Sequence, residues 1–347
     1  MVKPVWISSV GTAQPEHWIE QDAAARMIGN AIRDPRRAAA IARGTLIDRR
    51  AVVLPPDAIA ALGSIEERNA IYQAWAPGLA KSATEKALDC ESSSTIRCVV
   101  ASSCTGYMVP GWDVQLVQDM GFDPHTVRLP LTESGCAGGV VALARAAEHV
   151  RRHPNEKALA VAVELCSLAF HPKPEPGNLT ATLIFADGAG AAILEAADEP
   201  VNDGLEVVDS LSTLIPCSRE ALGFNLTDRG FYPVLTRELT EILPKPTRAA
   251  ACELLRGQGL SLSDVGFWLI HPGGSRILAG LEAEMGLERA ALRWSWESMR
   301  EAGNMSSASI FDVLRRYRED DEAPRGWGVV IAFGPGVSLE MLLVRRC

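Results

Sequence analysis

Apolar residues along this chain fall into short continuous runs separated by stretches with helical spacing, and several runs stop at glycine. In the first half, Val5–Val10, Arg97–Ser102, Val127–Leu131 and Ala158–Val163 read as strands, with 127–131 expected to be buried. Gly111–Met120 and Ala137–Val150 read as helices, the second mostly buried because its charges appear only late. Phe185-Ala-Asp-Gly-Ala-Gly-Ala-Ala-Ile-Leu-Glu195 closes this half as a glycine turn leading into a strand. From near Leu205 a similar series begins, with a helix around Leu235–Arg256 and a strand at Val265–Ile270. A helix opens at Ser275 with Ile277, Leu278, Leu281 and Met285 on one face, and another spans Met305–Leu314. Strands at Trp327–Phe333 and Val337–Val344 end the chain. Two halves that each place a strand–turn–helix and each close in a glycine-broken strand predict a fused βαβαβ pair, divided into 1–200 and 201–347. Segments 70–92 and 236–256 read as amphipathic outer helices, His171–Gly177 as an exposed loop, and Arg318–Arg325 as a solvated charged loop.

Three of these junctions carry reactive side chains. Ser134-Gly-Cys136-Ala-Gly-Gly139 places Cys136 at a helix start, where unpaired N–H groups and the dipole favour a thiolate. A free cysteine titrates near 8.5, and such a position or a nearby histidine lowers that to about 3.5–7.5. The glycines at 135, 138 and 139 leave room for backbone or an incoming thioester. The strand ending at Ile270 delivers His271, and Pro272-Gly-Gly prevents its continuation, so the imidazole is expected in a cleft. Asn304 follows Gly303 at the start of the helix beyond it. Each has a structural alternative: a small buried thiol, a satisfied histidine, a helix cap. Together they favour a thiol, an imidazole and a carboxamide that attack a thioester, hold its acyl group and stabilise an enolate.

Composition narrows the classes. With 347 residues, 47% hydrophobic and 22% charged, the chain has apolar content for one large core or two fused ones. A net charge of −9 without a basic run argues against nucleic-acid binding. The opening residues read as a strand rather than a signal peptide. The apolar stretch Ala158–Phe170 contains Glu164 and is shorter than the roughly 20 residues of a bilayer span. Eight cysteines without a C-x-x-C pair indicate neither a zinc site nor a disulfide framework, and a cytoplasmic setting is expected. Asp187-Gly-Ala-Gly runs into an apolar strand, which weakens a dinucleotide-binding interpretation.

The motifs resemble the chalcone synthase superfamily, the type III polyketide synthases. Gly135-Cys136-Ala-Gly-Gly is similar to the nucleophile motif, His271-Pro-Gly-Gly to the histidine motif, and Gly303-Asn304-Met-Ser-Ser-Ala to the asparagine motif. Ala332-Phe-Gly-Pro-Gly336 resembles the Gly-Phe-Gly-Pro-Gly loop with Ala at its first position. Ser103-Cys-Thr-Gly-Tyr-Met-Val-Pro-Gly-Trp-Asp113 is similar to bacterial members, and the likeness runs from about residue 4 to 346.

The resemblance implies an α/β, thiolase-type five-layer αβαβα sandwich of two duplicated halves, with two central sheets around buried helices. It implies Cys136, His271 and Asn304 as catalytic residues, with His271 paired to the Cys136 thiolate at rest. Phe185, Phe224, Cys104, Ala169 and Ser306 fall on cavity positions, and Val109 on a loop reaching a partner subunit's cavity, which implies a homodimer. Coenzyme A is expected against Arg43, Arg49 or Arg276, with Asp48 standing where plant members carry a lysine. Acyl-CoA and malonyl-CoA would be substrates, with no metal or redox cofactor. A β-ketoacyl-ACP synthase III-like enzyme is the alternative, although His271-Pro-Gly-Gly, Met305 and Gly334-Pro-Gly depart from that family. A non-catalytic thiolase-fold partner is a third class, against which the intact triad speaks.

Overall fold

Nine strands join in one mixed sheet in the computed structural model, which describes residues 3–89, 93–171 and 175–347. The chain begins with β1 (Val5–Ala13), followed by a small antiparallel pair, β2 (His17–Glu20) and β3 (Arg49–Val52). The first half adds β4 (Ile96–Ser102), β5 (Val127–Leu131), β6 (Lys157–Leu165) and β7 (Asp187–Ala196). The second half contains β8 (Leu205–Leu214), a hairpin of β9 (Leu222–Thr227) and β10 (Gly230–Leu235), β11 (Val265–Ile270), β12 (Gly326–Gly334) and β13 (Ser338–Arg346). The order across the sheet is β11-β12-β13-β8-β1-β7-β6-β4-β5.

That order carries the duplication. In the first half β4 is parallel to β6, while β7 is antiparallel to both β6 and β1. In the second, β11 is parallel to β12, while β13 is antiparallel to both β12 and β8. Thus β1, β4, β6 and β7 match β8, β11, β12 and β13 in order and sense. The sequence had led to two central sheets. They are hydrogen-bonded into one through a short β1–β8 contact, Trp6 to Glu206 and Ile7 to Leu205. The expected boundary at 200/201 falls in the segment between β7 and β8.

Apolar packing defines the layers. Helices Gly138–Arg152 and Ser309–Glu319 share a core with residues from both halves of the sheet, including Val100, Ala160, Leu269 and Val330. Helices Ile65–Leu88 and Trp112–Asp119 cover one outer face, and Pro244–Arg256 and Ser275–Met285 the other. The fold is a layered α/β structure with buried helices between the two halves of the sheet and further helices outside them.

Several local expectations change. β5 was expected to be buried, but it is the outer edge of the sheet, with Val127 50% and Leu129 40% exposed. The long helix expected over 235–256 starts later and breaks at Leu243, because Pro244 opens a new helix and Leu235 belongs to β10. Of the proline-rich segment 171–177, residues 172–174 lie outside the described residues, and a helix begins at Pro176. Arg318 is not a solvated loop residue. It lies in helix Ser309–Glu319 and its guanidinium donates to the carbonyls of Ile7, Ser8 and Asn202 at 2.8–3.0 Å.

Candidate active site

Cys136 lies in the turn Gly135–Ala137 that leads from β5 toward the buried helix Gly138–Arg152. The turn closes against the loop after β12. Gly135 has φ +51°, and a Cβ there would come within 2.4 Å of Pro335, so only glycine fits both demands. Gly139 serves a neighbour rather than a substrate: a Cβ there would meet the Ser307 carbonyl at 2.3 Å. That contact brings the Cys136 helix against the segment following Asn304.

His271 follows β11 and is fully buried, with its ring edge-on to Phe333 at 5.5 Å between centroids. Its backbone is fixed by Ile331 O at 2.7 Å, while neither ring nitrogen has a hydrogen-bond partner among the described residues. Asn304 is buried beside it: its Nδ2 donates to Gly273 O at 3.2 Å, and its Oδ1 accepts from Ser306 N at 2.8 Å. These two bonds fix the amide plane and leave the second Nδ2 proton to point elsewhere. The Ser306 hydroxyl lies 3.6 Å from the Cys104 sulfur and acts on the Cys136 thiol as well. Segments bearing the thiol, the imidazole and the amide are thus joined at one place.

Burial acts against the thiolate expected at rest. Burial pushes the Cys136 thiol up to about 12, with the Glu164 carboxyl adding to the effect and Ser306 opposing it. Burial also lowers His271 to about 3. Burial therefore works against charge on both groups. The helix-start dipole is outweighed because desolvation acts on the whole charge.

Glu164 is the residue that sequence reasoning passed over. Fully buried near the end of β6, it accepts from Thr105 Oγ1 at 2.8 Å, Cys104 N at 3.1 Å and the Ser307 hydroxyl. Its carboxyl is raised by burial, and these donors act against that rise. The signal was present, since one acid interrupts the apolar run 158–170.

One cavity borders Cys136. The chamber beside it is lined by Phe185, Phe224, Pro233, Leu235 and Pro335. Phe185 and Pro233 also border an apolar cavity that includes Ala169 and Cys166. Cys104 borders a third, beside Tyr107 and Phe231, and Val109 stands 78% exposed on the same loop. On the other side an open cavity of about 390 Å³ runs past Gly273 and Gly274 and is edged by Arg37, Arg237 and Arg276. Arg49 instead covers the Trp18 ring at 4.8 Å, and Arg43 is exposed beside Gly44 at the cavity rim. Asp48 lies 3.8 Å from the Arg300 guanidinium.

The chain matches two family models, Chalcone and stilbene synthases, N-terminal domain, over residues 41–198 and the C-terminal domain over 206–347. It is 31% identical to a 1,3,6,8-tetrahydroxynaphthalene synthase of Streptomyces peucetius, covering 98% of this chain and 92% of the relative. It is 30% identical to the alpha-pyrone synthesis polyketide synthase-like Pks18 of Mycobacterium tuberculosis, covering 97% and 90%. The crystal structure of 1,3,6,8-tetrahydroxynaphthalene synthase from Streptomyces coelicolor, a bacterial type III polyketide synthase, superposes with a TM-score of 0.92. That match has 29% identity and covers 99% of both chains.

Proposed function

The chain belongs to the chalcone and stilbene synthase family and is a type III polyketide synthase, and from that premise we propose how its residues act. It is an acyltransferase of the decarboxylative condensing kind; the family match runs against the single-condensation alternative.

Cys136 is the nucleophile. Its sulfur bonds to the acyl carbon of a starter acyl-CoA as the carbon–sulfur bond to coenzyme A breaks. The thiol proton passes through neutral His271 to the departing CoA thiolate, so no charge persists in the dry chamber. Malonyl-CoA then loses CO₂, and the released electron pair becomes an enolate whose oxygen accepts from Asn304 Nδ2 and His271 Nε2. Two neutral donors act where negative charge develops. The enolate carbon attacks the acyl-Cys136 carbonyl, a carbon–carbon bond forms, and the sulfur leaves. Reloading and repetition extend the chain before it cyclises to a pyrone, resorcinol or related product. These steps balance with CoA thioesters and one proton from water per extension, which restores the Cys136 thiol after its sulfur leaves.

The observation that carries this proposal is the fixed Asn304 amide, held by Gly273 O and Ser306 N with one proton free. Around it, Phe185, Phe224, Cys104, Ala169 and Ser306 shape the elongation space. Arg276, with Arg37 and Arg237 beside it, meets the CoA phosphates, since these arginines edge the open cavity leading to Gly273. The protein works as a cytoplasmic homodimer, with exposed Tyr107 and Val109 and the open β5 edge facing the second copy. Intact-protein mass spectrometry after incubation with acyl-CoA tests the nucleophile. The wild type should carry an acyl adduct and Cys136→Ala none; an adduct retained by the variant and mapped to Cys104 would move the nucleophile.

A further inference from the structure

Arg50 is nearly fully buried on β3, and none of the chemical steps above uses it. A buried guanidinium is costly unless its donors are satisfied. Here the partners are mainly backbone carbonyls. Nη1 donates to Thr182 O at 2.9 Å and Phe185 O at 2.5 Å, while Nε donates to Gln21 Oε1 at 3.2 Å. Gln21 in turn donates to Leu183 O at 2.7 Å.

These contacts saturate one end of helix Pro176–Ile184. The last carbonyls of a helix lack intrahelical partners and carry partial negative charge, which a cation at that end offsets. Thr182, Leu183 and Phe185 are served by Arg50 and Gln21. The Ile184 carbonyl is taken by Asn304 itself, whose N–H donates to it at 2.8 Å. The Asn304 carbonyl then accepts from Ala186 N at 2.8 Å, which closes a bridge between Phe185 and Asn304. The backbone of the candidate enolate-binding residue is therefore anchored to the turn that Arg50 holds.

The Arg50 stem also packs against Gly303, the residue before Asn304. Gly303 has φ +74°, and a Cβ there would lie 2.7 Å from Arg50 Cγ. Charge balance comes from Asp187, which interacts with Arg50 through space while accepting from Val53 N at 2.6 Å and from Ser167 N at 2.7 Å. Burial lowers Arg50 to about 10 and raises Asp187 to about 6, and each charge partly restores the other.

We propose that Arg50 is a positioning residue: its guanidinium clamps the Thr182–Phe185 turn and, through the Phe185–Asn304 bridge, sets the Asn304 carboxamide where the enolate oxygen forms. The same clamp places Phe185 at the neck between the Cys136 chamber and the apolar cavity. The inference rests on Asn304 acting as an enolate donor. A displacement of about 1 Å at such a group costs about 10²-fold in rate.

The test compares Arg50→Met, which keeps the stem, and Arg50→Lys, which keeps the charge but loses the fork. Three quantities are read on folded protein: malonyl-CoA decarboxylation, single-turnover acylation of Cys136, and thermal stability. Arg50→Met should lower the decarboxylation kcat about 10²-fold with the KM for malonyl-CoA changed little and acylation close to wild type. Arg50→Lys should recover part of that loss, and added methylguanidinium should partly rescue Arg50→Met. Combining Arg50→Met with Asn304→Ala should add little to the loss from Asn304→Ala alone, because both act on one donor. Additive losses, or acylation and decarboxylation falling together, would overturn the proposal in favour of a purely structural arginine. Normal decarboxylation by Arg50→Met beside an inactive Asn304→Ala would sink this inference alone. Normal decarboxylation by Asn304→Ala would remove the premise.

Discussion

At the residue scale, burial decides what the site can do. His271 and Asn304 are both buried, so in the proposed mechanism each would donate as a neutral group without competition from water. Replacing either with alanine should lower malonyl-CoA decarboxylation about 10²–10³-fold, the usual cost of one oxyanion donor. Release of CO₂ at the wild-type rate from either variant would place enolate stabilisation elsewhere. The same burial has a pH signature. Folded His271 titrates at about 3 rather than 6.5, because desolvation opposes its charge. Between those values the unfolded chain binds a proton that the folded chain refuses, so stability rises with pH. The contribution is complete above about 6.5 and is lost as pH falls toward 3, on the order of 5 kcal/mol in all. Urea unfolding at pH 7 and 4.5 should show a steeper acid loss for wild type than for His271→Asn. Equal losses would mean that the ring does not remain neutral in the fold.

At the element scale, short connections deliver the chemistry and shape the space around it. Ala169 ends the 3-10 turn Cys166–Ala169 after β6 and lines the apolar cavity beyond Phe185. A leucine there fills the space into which a growing chain would curl. Ala169→Leu should give products with fewer extensions while starter loading stays near normal, as read by mass spectrometry of the product mixture. Overpacking costs about 1–3 kcal/mol, so a melting curve accompanies the product analysis. A folded variant with an unchanged product spectrum would place residue 169 outside the elongation space.

At the scale of the whole molecule, the sheet ends unevenly. β5 leaves one edge unpaired and presents exposed Val127 and Leu129, close in the sheet to the loop that carries Tyr107 and Val109. An apolar open edge invites pairing with another chain. Sedimentation equilibrium should show a dimer at micromolar concentration, and Val127→Lys with Leu129→Lys should shift it toward monomer. A monomeric wild type, or a double variant that remains fully dimeric, would place the interface elsewhere.

Sequence by itself determined the junctions at Cys136, His271 and Asn304, the runs that became β4, β6, β11 and β12, and the family of the chain. Those features depend on spacing and turn residues within a few positions, so they are visible locally. Other features required the tertiary structure. Val127–Leu131 was as apolar as a central strand, yet only sheet order shows that it is an edge. The β9–β10 hairpin was missed, and Leu235 at its end was assigned to a helix, because its pattern competes with the helical stretch that follows. Glu164 was visible only as one acid in an apolar run, and neither its donors nor the carbonyls around Arg50 are near them in sequence. The forces on the Cys136 thiol divide in the same way: a helix start is local, but the desolvation that opposes it comes from every element packed around the thiol.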